Sequence, residues 1–139
     1  MDAVVTRVIV AAVGGVLFAA GSAKLGRHSY FLASILSWSA FTPRQVRILS
    51  LALPELELLI GGWSVGQLFV QGDSHLVVLA AIEVALFVGF TGMQAMILRR
   101  TTDADCGCLG SRSEMGVASI SRSGMLALAS LVAFAIAIR

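Results

Sequence analysis

Four apolar stretches decide what this chain can fold into: residues 4–23, 48–69, 76–97 and 117–138. Each is about 20 residues long, and a helix of that length spans about 30 Å, the thickness of a bilayer's hydrocarbon core. The rest of the composition agrees. Of 139 residues, 58 % are hydrophobic and 13 % charged, whereas soluble domains carry about 25 % charged residues. A water-soluble fold this small has too much surface to hide that excess. The expected fold is therefore all-α, a four-transmembrane-helix bundle forming a single integral membrane domain over residues 1–139.

The first apolar stretch is read as part of the mature protein. It is long for the apolar core of a signal peptide, and residues 24–27 are not a small-residue cleavage site. The net charge of +2 is spread along the chain. No basic block is dense enough for nucleic acid. No polar stretch is long enough for a soluble catalytic domain, so a large partner has to be a separate protein or a larger membrane complex.

Between the first two spans, residues 24–47 are too polar to cross a membrane. Phe31, Ile35 and Trp38 nevertheless recur at i, i+4 and i+7, one face of a helix. This spacing predicts a short interfacial helix, with Trp38 at headgroup depth. Thr42-Pro43 reads as a helix start, threonine as cap and proline at the first position. Gly14, Gly15, Ala19 and Gly21 in the first span, and Gly62 and Gly66 in the second, are small residues suited to close helix crossings. Pro54 frees a backbone carbonyl inside the second span. A short polar turn, residues 71–74, precedes the third span, and a longer polar loop, residues 101–116, follows it.

That last loop holds the only two cysteines, Cys106 and Cys108, on either side of Gly107. Cα atoms two positions apart fall within disulfide range, and Gly107 has no side chain to resist the tight turn. A ring that small hardly constrains the unfolded chain, so it is a poor brace. Strain makes it easier to reduce, which favours exchange chemistry. Two alternatives stay open. A lone thiolate pair can bind a soft ion such as Cu(I) or Hg(II), although a closed zinc site needs more ligands than the loop offers. The pair can also be chemically idle.

Three carboxylates, Glu55, Glu57 and Glu83, fall inside predicted spans, where each must pair, protonate or face a polar interior. Glu55 and Glu57 are about 200° apart on a helix and cannot both serve one small site directly. Lys24, at the end of the first span, lies at the same membrane face, so a Lys24–Glu55 or Lys24–Glu57 contact is expected. Its simplest role is to hold two helices together; its sharper role is proton handling beside a quinone or a thiol. Glu83 lies deeper and shares a helix face with Gln94. His28 and His75 belong to opposite faces and cannot share a metal. If a membrane quinone accepts electrons here, Glu83 and Trp63, with Glu55 and Glu57, are the candidates to line its groove.

Four spans place both termini on one side. The opposite side gathers Lys24, Arg27, Arg44, Arg47, Arg99, Arg100, Arg112 and Arg122. The positive-inside rule turns that side, and the cysteines, toward the cytoplasm. Stable disulfides belong to oxidising compartments, which favours the reverse.

Taken in order, several motifs resemble the MauE family of methylamine-utilisation membrane proteins, within the DoxX-like four-helix membrane proteins. They are Gly21-Ser-Ala-Lys24-Leu25, the aromatic stretch 31–43, Leu53-Pro54-Glu55-Leu56-Glu57, Arg99, and Cys106-Gly-Cys-Leu-Gly110. Leu109 stands where the family often has phenylalanine, a conservative change. The resemblance implies help in maturing the disulfide-rich small subunit of methylamine dehydrogenase, beside a periplasmic thioredoxin-like protein. It also implies a more general thiol-redox role, since many relatives lack that enzyme. By carry-over, Cys106 and Cys108 are the exchanging pair, Lys24, Glu55 and Glu57 shape the adjacent bundle end, and the cysteines face outward.

The leading expectation is thus a multi-pass cell-membrane protein that exchanges disulfides with a thioredoxin-like partner or a cysteine-rich client. Such a protein is a thiol-disulfide oxidoreductase, with a membrane quinone as its candidate cofactor. The alternatives are a non-enzymatic assembly subunit and soft-metal handling.

Overall fold

The structure, a computed structural model, describes residues 2–38, 41–70, 75–100 and 117–138. Cys106 and Cys108, the rest of loop 101–116 and the 71–74 turn lie outside the described residues. Five helices follow one another: α1 (Asp2–Gly26), α2 (His28–Ser37), α3 (Pro43–Gly66), α4 (Leu76–Arg100) and α5 (Val117–Ala137). Among the described residues there is no strand. Helices α1, α3, α4 and α5 are each long and apolar enough to cross a bilayer, and the chain is a multi-pass membrane protein.

The helix ends differ from the limits of the apolar runs, for a physical reason. Hydropathy marks what matches hydrocarbon, whereas a helix stops where its hydrogen bonds are diverted. Helix α3 starts at Pro43, five residues before its apolar run, because Thr42 caps it. The Gln45 N–H donates to Thr42 Oγ1 at 3.4 Å, and the Thr42 N–H donates to Gln45 Oε1 at 2.9 Å, a reciprocal capping box. The same helix ends at Gly66 instead of Phe69. There the N–H groups of Gln67, Leu68 and Phe69 turn to the carbonyls of Ser64, Val65 and Gly66, three residues back, at 3.2, 3.1 and 3.0 Å, the tighter 3₁₀ pattern. Helix α1 runs on to Gly26, and only Arg27, at φ −130° and ψ 45°, separates it from α2.

The predicted face of α2 is real, but it is turned toward protein. Phe31, Ile35 and Trp38 are buried and form one cluster with Val46 of α3 and Ile97 of α4. The short helix therefore closes one end of the bundle, and Trp38, only 4 % exposed, is a core residue.

Two antiparallel pairs, α1 with α3 and α4 with α5, make the most extensive interfaces. Helix α1 lies against both α4 and α5. Val10 meets Leu79, Ala80 and Ala133, and Val13 and Leu17 meet Phe87. Helices α1 and α4 thus run parallel and end on the same side as α2. In contrast, α3 and α4 barely touch.

The α1–α3 crossing is set by glycine, at positions partly different from those expected. A Cβ on Gly61 would lie 2.5 Å from the Gly14 carbonyl oxygen and 2.6 Å from the Phe18 nitrogen, both backbone atoms that cannot yield. One on Gly21 would lie 2.9 Å from the Pro54 carbonyl oxygen, and one on Gly14 would collide with the Ser64 side chain. Of the expected small residues, Gly15 and Gly66 have open space around the same position, and Gly62 makes only ordinary contact with Phe18 at 3.8 Å. The tight crossing therefore uses Gly61, one residue away from the Gly62/Gly66 pair that its spacing suggested.

This predicts an ordering. Gly61→Ala should destabilise the detergent-solubilised protein by about 1–3 kcal/mol, the usual cost of overpacking. Gly66→Ala should be neutral or stabilising by up to about 1 kcal/mol through helix propensity. Thermal unfolding followed by circular dichroism measures both, and equal loss in the two variants would remove the assigned crossing.

Candidate functional site

At the end of the bundle closed by α2, four helices contribute to one buried charged centre. Lys24 is two residues from the end of α1. The glycine one turn before it, Gly21, lets the α1 backbone approach α3 at Pro54 and Glu57. The Lys24 ammonium donates to Glu57 Oε1. The two side chains are 4 % and 2 % exposed. Phe31 of α2 and Phe90 of α4 complete the enclosure, their ring centroids 5.4 and 5.6 Å from Lys24 Nζ. An ammonium over aromatic faces is attracted by their quadrupoles, more strongly where water is excluded.

Of the two partners expected for Lys24, the structure selects Glu57. Glu55 points away and is exposed, as the angular separation of the two positions requires. Glu57 uses one carboxylate oxygen for Lys24. Its other oxygen, Oε2, is buried and accepts no hydrogen bond from any described residue. An unsatisfied acceptor on a buried carboxylate is costly.

A second polar centre lies farther along the bundle. Glu83, fully buried on α4, accepts a hydrogen bond from Ser64 Oγ of α3 at 2.8 Å and a longer one from Ser130 Oγ of α5 at 3.5 Å. Ser123 of α5 donates to Gln94 Oε1 of α4 at 3.1 Å. These bonds tie α3, α4 and α5 together where apolar packing alone gives little specificity. Trp63 is 46 % exposed on α3, with its ring 6.1 Å from that of His75.

Beside the charged centre is an apolar cleft of about 220 Å³, between α3 and α4 under α2. Ile35, Trp38, Leu53, Gly89, Phe90 and Met93 are among its walls. Phe90 belongs to both features: its ring faces Lys24 and also lines the cleft. The sequence candidates Glu55, Glu57, Glu83 and Trp63 are not among the lining residues. Among the described residues no three His, Cys, Asp or Glu side chains gather as a metal site.

Sequence reasoning missed Phe31 and Phe90 as the aromatic enclosure, and Ser64 and Ser130 as the partners of Glu83. A signal for Ser64 exists. The buried positions of α3, Val46, Ser50, Pro54, Glu57, Gly61 and Ser64, recur every three or four residues and form one stripe of mostly small or polar side chains. Phe90 had no such signal, because an apolar span gives little indication of which phenylalanine faces inward.

Removing one member of the ion pair should cost more than removing both. Lys24→Met leaves Glu57 charged and alone, with an expected loss of about 3–5 kcal/mol. Lys24→Met combined with Glu57→Leu should recover most of it, and Glu55→Gln should change stability by less than about 0.5 kcal/mol. Unfolding of the four proteins in one detergent gives the comparison; strictly additive losses would contradict a coupled pair. At the second centre, Glu83→Gln keeps an acceptor for Ser64 and gains a donor for Ser130. It should stay within about 1 kcal/mol of the parent, while Glu83→Leu should lose more.

Comparison with known proteins adds one finding. The family model described as "Methylamine utilisation protein MauE" matches residues 2–136. No curated protein and no solved structure matches the chain. The matched region holds the ion pair, the cleft and the cysteine segment, and it reaches all five helices. The chain belongs to the methylamine utilisation protein MauE family.

Proposed function

We propose that this protein is a membrane thiol–disulfide exchange protein, with Cys106 and Cys108 as the exchanging pair. Its partner is a thioredoxin-like protein or a cysteine-rich client such as a dehydrogenase subunit. The observation that carries the reading is the sequence Cys106-Gly107-Cys108 itself. A disulfide across one residue removes almost no chain entropy, so its value lies in being opened and closed. Family membership supports a role in methylamine utilisation, with the chain as a membrane accessory protein.

The described helices suit the proposal. The cysteine segment follows α4, whose last turns are fixed: Ile97 is fully buried among Phe31, Ile35 and Trp38. Lys24 and Glu57 are positioning residues in this reading. They join α1, where α2 begins, to α3, and so set the surface from which the segment emerges.

The exchange conserves electrons and protons. In the oxidising direction a client thiolate attacks one sulfur of the Cys106–Cys108 disulfide, forming a mixed disulfide and releasing the other cysteine as a thiolate. A second client thiolate then displaces the bound cysteine. The client leaves with a disulfide, and the pair keeps two electrons as two thiols. The reducing direction is the reverse.

Trapping tests this. Cys108→Ser protein, purified from membranes after acid quenching, should carry a covalent partner on Cys106 that reductant releases. A thioredoxin-like protein or a cysteine-rich secreted protein is the expected adduct. Repeated absence of any adduct, with normal function of the Cys106→Ser/Cys108→Ser double variant, would falsify thiol exchange and leave the assembly role.

A further inference from the structure

We infer that the α3–α4 cleft and Arg99 together bind one anionic phospholipid, its acyl chain in the cleft and its phosphate on the Arg99 guanidinium. The inference concerns lipid binding alone and stands whether or not the cysteines exchange disulfides.

The cleft selects hydrocarbon. Its volume is about 220 Å³, and an apolar cavity of about 150 Å³ already accommodates benzene. No charged side chain lines it, and Phe90 stands between it and the Lys24–Glu57 pair. A ligand that must hydrogen-bond finds little there, whereas an acyl chain needs no polar partner. Helices α3 and α4 scarcely contact each other. The opening lies between two membrane-spanning helices, so its occupant comes from the bilayer.

Helix α4 leads from the cleft to a cation. Ala85 and Gly89 are cleft walls, and the same face continues through Gly92 and Met96 to Arg99. Steps of four, three, four and three residues keep these positions within about 40° of Ala85 around the helix, and all five residues are exposed. A Cβ on Gly89 or Gly92 would meet nothing within 4 Å, so the face is open along this path. Arg99 lies about 15 Å along the axis from Gly89. One leaflet of a bilayer contributes about 15 Å of hydrocarbon. A lipid whose phosphate meets Arg99 therefore lays its chain against the cleft.

Charge selects the headgroup. Among the described residues the Arg99 side chain has no ion pair or hydrogen-bond partner. Its planar fork suits a phosphate, which it binds through two parallel hydrogen bonds. A zwitterionic lipid brings an ammonium as well. Of the described carboxylates of α3, Glu57 is buried with Lys24, and Glu55 lies more than three turns below the start of the helix. Neither meets that ammonium at the height of Arg99, so a net anionic headgroup is favoured.

The test uses the full-length protein in nanodiscs that mix phosphatidylcholine with phosphatidylglycerol. The chain has two tryptophans, so Trp63→Phe leaves Trp38, on the cleft wall, as the reporter. Phosphatidylglycerol brominated in mid-chain should quench Trp38 saturably. Its midpoint should fall at a mole fraction about fivefold lower than that of brominated phosphatidylcholine, the value of one arginine near an anionic membrane surface. Arg99→Gln should bring the two lipids level. Arg47→Gln controls for general charge: Arg47 is exposed but about 200° around α3 from the cleft wall Leu49, so the preference should persist. Gly89→Phe, which fills the cleft, should abolish saturable quenching by either lipid while helicity and elution volume stay constant. Equal midpoints for the two lipids in the parent, or a preference that survives Arg99→Gln, overturns the site in favour of ordinary boundary lipid. A Trp38 that neither brominated lipid quenches overturns it too, and cross-linking between copies would then identify protein as the cover.

Discussion

A lysine and a glutamate facing each other inside a membrane protein fix the rest of this bundle. Either charge alone, out of water, costs several kcal/mol. That penalty makes the helix register discrete. Sliding α1 along α3 by one turn would separate Lys24 from Glu57 and strand both. The glycines act in the same direction from the steric side. Gly14, Gly21 and Gly61 allow backbone contact at one register, and a shifted helix would press side chains into backbone. In hydrocarbon, apolar burial does not drive helices together as it does in water, so such paired polar and small-residue contacts carry the specificity.

The tightness of one interface accounts for the looseness of another. Helix α1 is held against α3 by the ion pair and the glycines, and α4 against α5 by the Gln94–Ser123 bond and close packing. The two pairs are joined chiefly through α1 and the Glu83–Ser64 bond. Toward the other end, α3 and α4 diverge, and α2 bridges them with Ile35 and Trp38. The cleft is thus a consequence of the helix pairing. Its position next to the charged centre follows from the same geometry, because Phe90 has to cover Lys24 and stand at the edge of the gap.

Different layers of this arrangement were legible in the sequence to different degrees. The four spans were plain because bilayer thickness imposes a length that no short motif can imitate. The start of α3 was visible in Thr42-Pro43, and the buried face of α2 in the spacing of Phe31, Ile35 and Trp38. What α2 packs against was hidden, since an amphipathic period reads the same whether its apolar side meets lipid or protein. Lys24 had two possible carboxylate partners, and only the three-dimensional crossing chose Glu57. The glycine positions were missed by one residue for a related reason. Gly61 and Gly62 are adjacent on α3, and a one-residue step rotates the face by about 100°. The partners of Glu83 come from α3 and α5, serines that composition alone would assign to general packing.

The buried pair also changes how the chain's charges should be counted. Lys24 is one of the chain's ten basic residues, but it is paired with Glu57 and only 4 % exposed, so it adds little charge to the membrane surface. A charge count for orientation should therefore leave Lys24 out. For the proposed exchange, the compartment would fix which state is restored after each turnover: dithiol where thiols are kept reduced, disulfide where they are oxidised. A ring closed over Gly107 cannot act as a brace in either compartment. The proposed exchange would have a use in both.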